Sequence, residues 1–245
     1  MSTDSIQENS LEEFFVQGLI TDIVGRIKSG KEAAIYCCRA DESTGFNLLA
    51  AKVYHPLKCR GFRNDAVYQE GYVILDARYR RAFKKKTRKG REVQFGLWVE
   101  REFETLSLLY DAGADVPKPV SQSGSAILME YVGDGKSPAS PLKDVFLGKD
   151  EALPLFNRVM RNIELFLAQN RVHADLPPFN ILYHEGNFKI IDFPQAVDPR
   201  FNPHAQTFLM RDVENVCRYF TQYGIEVRAS EIAVDLWTRF LRAEL

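Results

Sequence analysis

Asp175, Asn180 and Asp192 are the residues whose types and spacing best suit chemistry. They lie in one stretch, Arg171-Val-His-Ala-Asp175-Leu-Pro-Pro-Phe-Asn180-Ile-Leu-Tyr-His-Glu-Gly-Asn-Phe-Lys-Ile-Ile-Asp192-Phe-Pro-Gln195. Two short apolar runs, Ile181 to Tyr183 and Phe188 to Ile191, surround a turn at Glu185-Gly186-Asn187, which is a hairpin signal. Asp175 and Asn180 precede the first strand, and Asp192 ends the second. A tight hairpin brings its open ends together, so two carboxylates and one amide oxygen gather in one place. These are hard oxygen ligands of the kind Mg²⁺ takes alongside phosphate oxygens. Each residue alone has a structural explanation, since His-x-Asp caps turns and Asp-Phe-Pro ends strands. The set in this order and spacing points instead to a phosphate-handling site.

His173-Ala-Asp175-Leu-Pro-Pro-Phe-Asn180 resembles the protein-kinase catalytic loop, His-x-Asp-x-x-x-x-Asn, and Ile191-Asp192-Phe-Pro-Gln195 stands where the kinase Asp-Phe-Gly metal motif would be. The ending Asp-x-x-Gln resembles the RIO family of atypical kinases and ATPases, as does Asn202-Pro-His-Ala-Gln-Thr-Phe-Leu-Met-Arg211-Asp-Val-Glu-Asn215. The likeness spans roughly residues 15 to 225 and is closer to the RIO subfamilies without a winged-helix domain. It implies an α+β, two-lobed protein-kinase-like fold: a small antiparallel β lobe and a mainly helical C-lobe, truncated after the metal-binding loop.

The resemblance also implies roles. Asp175 orients and deprotonates an attacking hydroxyl or water. Asn180 and Asp192 hold Mg²⁺, or Mn²⁺ in its place, against the phosphates of ATP. His173 supports the loop through hydrogen bonds. The implied reaction is transfer of the ATP γ-phosphate to a Ser/Thr hydroxyl, the protein's own included, and/or ATP hydrolysis as a conformational switch serving ribosome assembly. In the hydrolytic version Asp192 itself accepts the phosphoryl group. Three departures from ordinary kinases bear on this. The lysine two residues after the catalytic Asp is missing, as it is in RIO proteins. Pro194 replaces the mobile glycine and fixes φ, which argues against a flipping activation switch. No Ala-Pro-Glu follows, and the roughly fifty residues after Asp192 leave no room for a peptide-docking platform.

The elements that must position these residues read in order. Residues 1–19 form an N-terminal helical segment, with Leu11, Phe14, Phe15 and Leu19 on one face of a helix from Leu11 to Leu19. Strands Ile20–Ile27, Ala33–Cys38 and Leu48–Tyr54 make an antiparallel meander, opening an N-lobe over 20–132. Gly25-Arg-Ile-Lys-Ser-Gly30-Lys31-Glu32 nearly spells a P-loop, but Glu32 replaces the hydroxyl and a strand follows where a helix is required. Ser29-Gly30-Lys31 resembles the RIO nucleotide-covering loop, which offers a hydroxyl and backbone N–H groups to phosphates.

Leu49-Ala-Ala-Lys52 resembles the strand that presents the phosphate-binding lysine, which is costly to bury unless paired. A helix from Phe95 to Tyr110 carries Glu102, with Leu106 one turn later, as the matching partner; Glu100 is the fallback. Asp111-Ala-Gly113 stops this helix. On the strand Ala126–Val132, Met129-Glu130-Tyr131-Val132 looks like the kinase hinge, with the Glu130 C=O and Val132 N–H holding adenine and Met129 lining the pocket. The C-lobe, 133–245, holds helices over Ala152–Asn170, Ala205–Tyr223 and Ser230–Ala243, with Ser230 as an N-cap candidate.

Between the lysine strand and the glutamate helix, residues 55–94 form a basic, flexible insertion. Its Arg78-Tyr-Arg-Arg-Ala-Phe-Lys-Lys-Lys-Thr-Arg-Lys-Gly-Arg91 run suits RNA phosphates, with Tyr79 and Phe83 available for stacking, and a ribosomal particle is the matching partner. In RIO proteins this insertion carries phosphorylation, for which Thr87 is the candidate here. Overall charge favours no partner class: 32 Lys+Arg face 33 Asp+Glu. No apolar run approaches a membrane span, the polar residues 1–10 lack the basic start and apolar centre of a signal peptide, and the four cysteines have no metal spacing. They read as free buried thiols of a reducing compartment, which places the protein in the cytoplasm. Two rivals to the RIO reading are a small-molecule phosphotransferase of the aminoglycoside or choline kinase type, and an RNA or ribosome module that binds nucleotide without turnover.

Overall fold

The computed structural model describes residues 11–55 and 88–245, which divide into two compact units. The first comprises the described residues up to 55 together with 88–104 and 117–138, and the second comprises 105–116 and 139–245.

The first unit is built on a five-stranded antiparallel sheet of β1 (Ile20–Ser29), β2 (Ala33–Ala40), β3 (Leu48–Tyr54), β4 (Pro119–Ser123) and β5 (Ala126–Glu130), in the order β1-β2-β3-β5-β4. Strand alternation decides the two faces. Leu49, Ala51 and Val53 of β3 face a core made with Ile20, Cys38, Ala126 and Leu128, closed by Leu11 and Phe14 from the helix α1 (11–16). Gly18 ends α1 in the left-handed conformation, with the Leu19 N–H donating to the Phe14 C=O at 2.9 Å. The expected helix to Leu19 is therefore three residues too long. The opposite β3 positions include Lys52 and Tyr54, and on that side Tyr54 packs with Val99 and Ile127.

Val99 belongs to α2 (Arg88–Asp111), within which the boundary between the units falls. This helix starts at Arg88, not Phe95, because residues 88–94 are polar, basic or glycine except for Val93 and give no apolar period to read. Gly113 then stops the chain in the left-handed region, with Ala114 N–H donating to Leu109 C=O at 3.0 Å. Cys59, Thr87 and residues 78–87 of the basic run lie outside the described residues. Cys37, Cys38 and Cys217 are free and buried.

The second unit pairs a small sheet, β6 (Ser140–Pro141), β7 (Ile181–His184) and β8 (Asn187–Ile190), with helices α3 (Lys149–Ala168), α4 (Ala205–Phe220) and α5 (Ala229–Leu241). The β7–β8 turn has positive φ at both Glu185 (46°) and Gly186 (80°), the two-residue geometry that matches strand twist. Its tip is tied down where the Tyr183 hydroxyl donates to Glu151 at 2.8 Å and accepts the Gly186 N–H at 3.0 Å. Asp115 takes a bidentate bond from Arg158 (2.9 and 2.6 Å), and its C=O accepts the Ile190 N–H at 2.7 Å. Ser230 is not an N-cap. α5 begins at Ala229 after Arg228, which provides no side-chain cap, so Ser230 lies within the first turn. No described helix is long and apolar enough to cross a membrane.

Candidate functional site

In the second unit, hairpin register fixes the open end of β7–β8. Ile181 pairs with Ile190, and the Ile191 N–H donates to the Asn180 C=O at 2.9 Å. Asn180 ends a short 3-10 turn, Pro178–Asn180, that two prolines pre-shape, and it is buried. Its Nδ2 donates to the Asp175 backbone C=O at 2.9 Å, which leaves Oδ1 as the end available to a cation. Asp192 follows Ile191 with φ 75°, and Ala174, just before Asp175, has φ 66°. Left-handed backbone at non-glycine residues costs on the order of 1–3 kcal/mol each and collects at functional sites.

The strained turn is held from α4. The carboxylate of buried Asp212 accepts the Ala174 N–H at 2.7 Å with one oxygen and the Leu176 N–H at 2.9 Å with the other, so it straddles Asp175. Arg211 donates to the Ala174 C=O and lies over the Phe208 ring at 5.2 Å. His173 is buried and its Nε2 bonds the Ile191 C=O at 3.1 Å, linking the Asp175 turn to the strand end that leads into Asp192. A carbonyl can only accept, so Nε2 carries the proton. Nδ1 then faces the Asp175 N–H at 3.4 Å.

Burial raises the Asp175 carboxyl above the ordinary range; Arg211 works against this and the negative Asp192 adds to it. Asp192 therefore lies within electrostatic reach of Asp175. Burial pushes Asp212 up to about 7, against its two N–H donors and Arg211. Among the described residues no three His, Cys, Asp or Glu side chains form a ready-made metal cage. The donor set present, one or two carboxylates and an amide oxygen, is what Mg²⁺ uses when phosphates and water complete its octahedron. The residues fit that ion.

The first unit places the other predicted residues. Lys52 Nζ donates to Glu102 Oε1 at 2.6 Å, with both residues buried, while Glu100 is exposed, so the lysine's partner is Glu102. Lys52 also lies 5.0 Å from the Tyr54 ring centroid. Ser29 ends β1, and Ser29, Gly30 and Lys31 are exposed in the β1–β2 turn, with Gly30 N–H donating to Ala33 C=O at 2.8 Å. A strand follows that turn, as the rejection of a P-loop required. Met129 packs on the Tyr54–Val99–Ile127 cluster. β5 ends at Glu130, whose N–H donates to the Lys118 C=O at 2.8 Å, so Tyr131 and Val132 lie past the strand.

Arg211 and Asp212 lie in the 202–215 stretch that resembles the RIO family, and the sequence alone assigns them no role. Their contacts to residues 174 and 176 span more than thirty positions, and no local pattern announces them.

Comparisons with known proteins agree on one family. The model of the RIO domain matches residues 34–233. The chain is 33% identical over 225 residues to serine/threonine-protein kinase RIO1 of Caenorhabditis elegans, covering 89% of this chain and 42% of that protein. It is 32% identical over 219 residues to human RIO1, covering 89% and 36% respectively. It is 39% identical over 140 residues to the RIO-type serine/threonine-protein kinase Rio2 of Methanocaldococcus jannaschii, covering 57% of this chain and 51% of that one. The chain thus spans about two fifths of the two RIO1 relatives. Among solved structures, the Rio2 kinase–ADP/Mg²⁺–phosphoaspartate complex from Chaetomium thermophilum superposes with a TM-score of 0.69 at 23% identity, covering 95% of this chain and 67% of that one. The fold is accordingly the α+β kinase type, a β-sheet lobe and a helical lobe.

Proposed function

Because this chain belongs to the RIO family, we propose that it is a Mg²⁺-ATP-dependent atypical kinase that transfers the γ-phosphate to a Ser/Thr hydroxyl, its own included, and/or hydrolyses ATP as a switch. The observation that carries this reading is the gathering of Asp175, Asn180 and Asp192 at the open end of one hairpin, clamped by buried Asp212.

Phosphoryl transfer asks mainly for positioning and charge stabilisation. Lys52, oriented by Glu102, steadies the α/β-phosphates, while Ser29, Gly30 and Lys31 offer a hydroxyl, backbone N–H groups and a cation to the phosphate chain. Adenine bonds the Glu130 C=O and Val132 N–H, with Met129 against it. Asn180 Oδ1 and Asp192 hold the cation, which when bound neutralises phosphate charge. Asp175 accepts the proton of the attacking hydroxyl or water. Its raised affinity for protons brings it closer to that task, since a base works best with a pKa near the working pH. In the hydrolytic branch an Asp192 oxygen attacks the γ-phosphorus, ADP leaves, and water then cleaves the acyl phosphate. The C. thermophilum relative, whose structure carries phosphoaspartate and ADP/Mg²⁺, supports that branch. The Arg78–Arg91 run is read as an RNA or ribosome contact, supported by its charge and aromatics, and the cytoplasm as the compartment.

The test is Mg²⁺-ATP turnover by wild type, Lys52→Met and Asp192→Asn, with trapped label challenged by hydroxylamine. Each substitution is expected to cost about 10²-fold or more, the scale of losing one preorganised charge contact. Hydroxylamine-labile label would mark the Asp192 branch, and stable label would mark Ser/Thr transfer. Turnover unchanged by both substitutions would overturn the reading.

A further inference from the structure

The peptide plane joining Ala174 to Asp175 has two polar ends. Its N–H faces His173 Nδ1 at 3.4 Å, too long for a firm bond. Its C=O is bonded by the Arg211 guanidinium. Arg211 is therefore the principal anchor of this plane, whereas Asp212 holds the peptides on either side through the N–H groups of Ala174 and Leu176. Rotation of this plane changes ψ of Ala174 and φ of Asp175, whereas the 66° φ of Ala174 belongs to the preceding plane, which Asp212 holds. Without the Arg211 bond, a change in ψ of Ala174 would turn Asp175 relative to the residues before it and swing its carboxylate off line. Arg211 is itself fixed: it is half-buried, and its guanidinium rests on Phe208, three residues earlier on α4, at 5.2 Å.

We propose that Arg211 is a positioning residue for phosphoryl transfer, locking the Ala174–Asp175 peptide plane so that Asp175 meets the acceptor in line. This rests on the kinase/ATPase reading above. It assigns Arg211 no contact with substrate: the residue acts through the loop.

The test compares Arg211→Met and Arg211→Lys. Arg211→Met is expected to lower kcat about ten-fold or more while ATP affinity moves less than about two-fold, because a misplaced Asp175 affects reaction and not nucleotide binding. Arg211→Lys, which keeps a donor, should retain more activity than the Met variant. A kcat preserved in Arg211→Met would overturn the proposal. Amide hydrogen exchange supplies a readout independent of turnover. Arg211→Met should speed exchange at residues 174–176 and leave the β1–β5 sheet unchanged, and unchanged exchange at 174–176 would also overturn it. An inactive wild type would count against the kinase/ATPase reading, while the exchange result would still decide whether Arg211 locks the loop.

Discussion

At the scale of residues, the site is a set of costs held in place by specific bonds. Asp212 is the clearest case. It is fully buried, and its carboxyl rises from the ordinary 3.8 to about 7. A carboxyl with a raised folded pKa binds more protons folded than unfolded between those two values. Its contribution to stability is therefore greatest at low pH and falls as pH rises from about 4 through about 7. Urea unfolding across that range should show this slope, and Asp212→Asn should flatten it. The same variant should lose about 1–3 kcal/mol, because an amide has one acceptor oxygen for two buried N–H groups and its NH₂ faces the second. An Asp212→Asn protein with the wild-type slope and stability would contradict this account. What was legible at this scale was residue type at fixed spacing: Asp175, Asn180 and Asp192 declare themselves because a hairpin is a local object. The Arg211–Asp212 clamp was not legible, since a hydrogen bond between residues 174 and 212 leaves no period in the sequence.

At the scale of elements, two joints carry the site. One is the β7–β8 turn, where Glu185 sits at φ 46° and Gly186 at φ 80°. Gly186→Val should destabilise by about 1–2 kcal/mol through left-handed strain alone, since a Cβ at Gly186 meets nothing within 4 Å. Glu185→Asn should stabilise modestly, because Asn-Gly suits this turn. Thermal unfolding of both variants checks the pair, and a stabilising Gly186→Val would refute the turn assignment. The other joint ties β3 to α2 through the 2.6 Å Lys52–Glu102 ion pair. Glu102→Gln leaves a buried ammonium without its counter-ion and should cost about 3–5 kcal/mol, and Lys52→Met combined with Glu102→Leu should cost less than Glu102→Gln alone. Denaturant titrations of the three proteins measure this. Glu102 was legible because Leu106, one turn on, set the helix phase and put Glu100 toward solvent. The start of α2 was not, because basic residues give no apolar stripe, and Ser230 misled because a good capping residue also fits a helix's first turn.

At the scale of the whole molecule, the α+β, two-lobed class was what the kinase and RIO resemblance implied, and the antiparallel sheet, the helical unit and the RIO family match over residues 34–233 agree with it. The central proposal is phosphoryl transfer with Asp175 as the base. The most direct measurement follows label from γ-labelled ATP, with Mg²⁺, onto protein and into free phosphate, for wild type and Asp175→Asn. The account predicts Mg²⁺-dependent label in wild type and a loss of about 10²–10⁴-fold in the variant, the scale of positioned acid–base catalysis. A wild type that binds ATP and turns over none, or an Asp175→Asn protein as active as wild type, would contradict it.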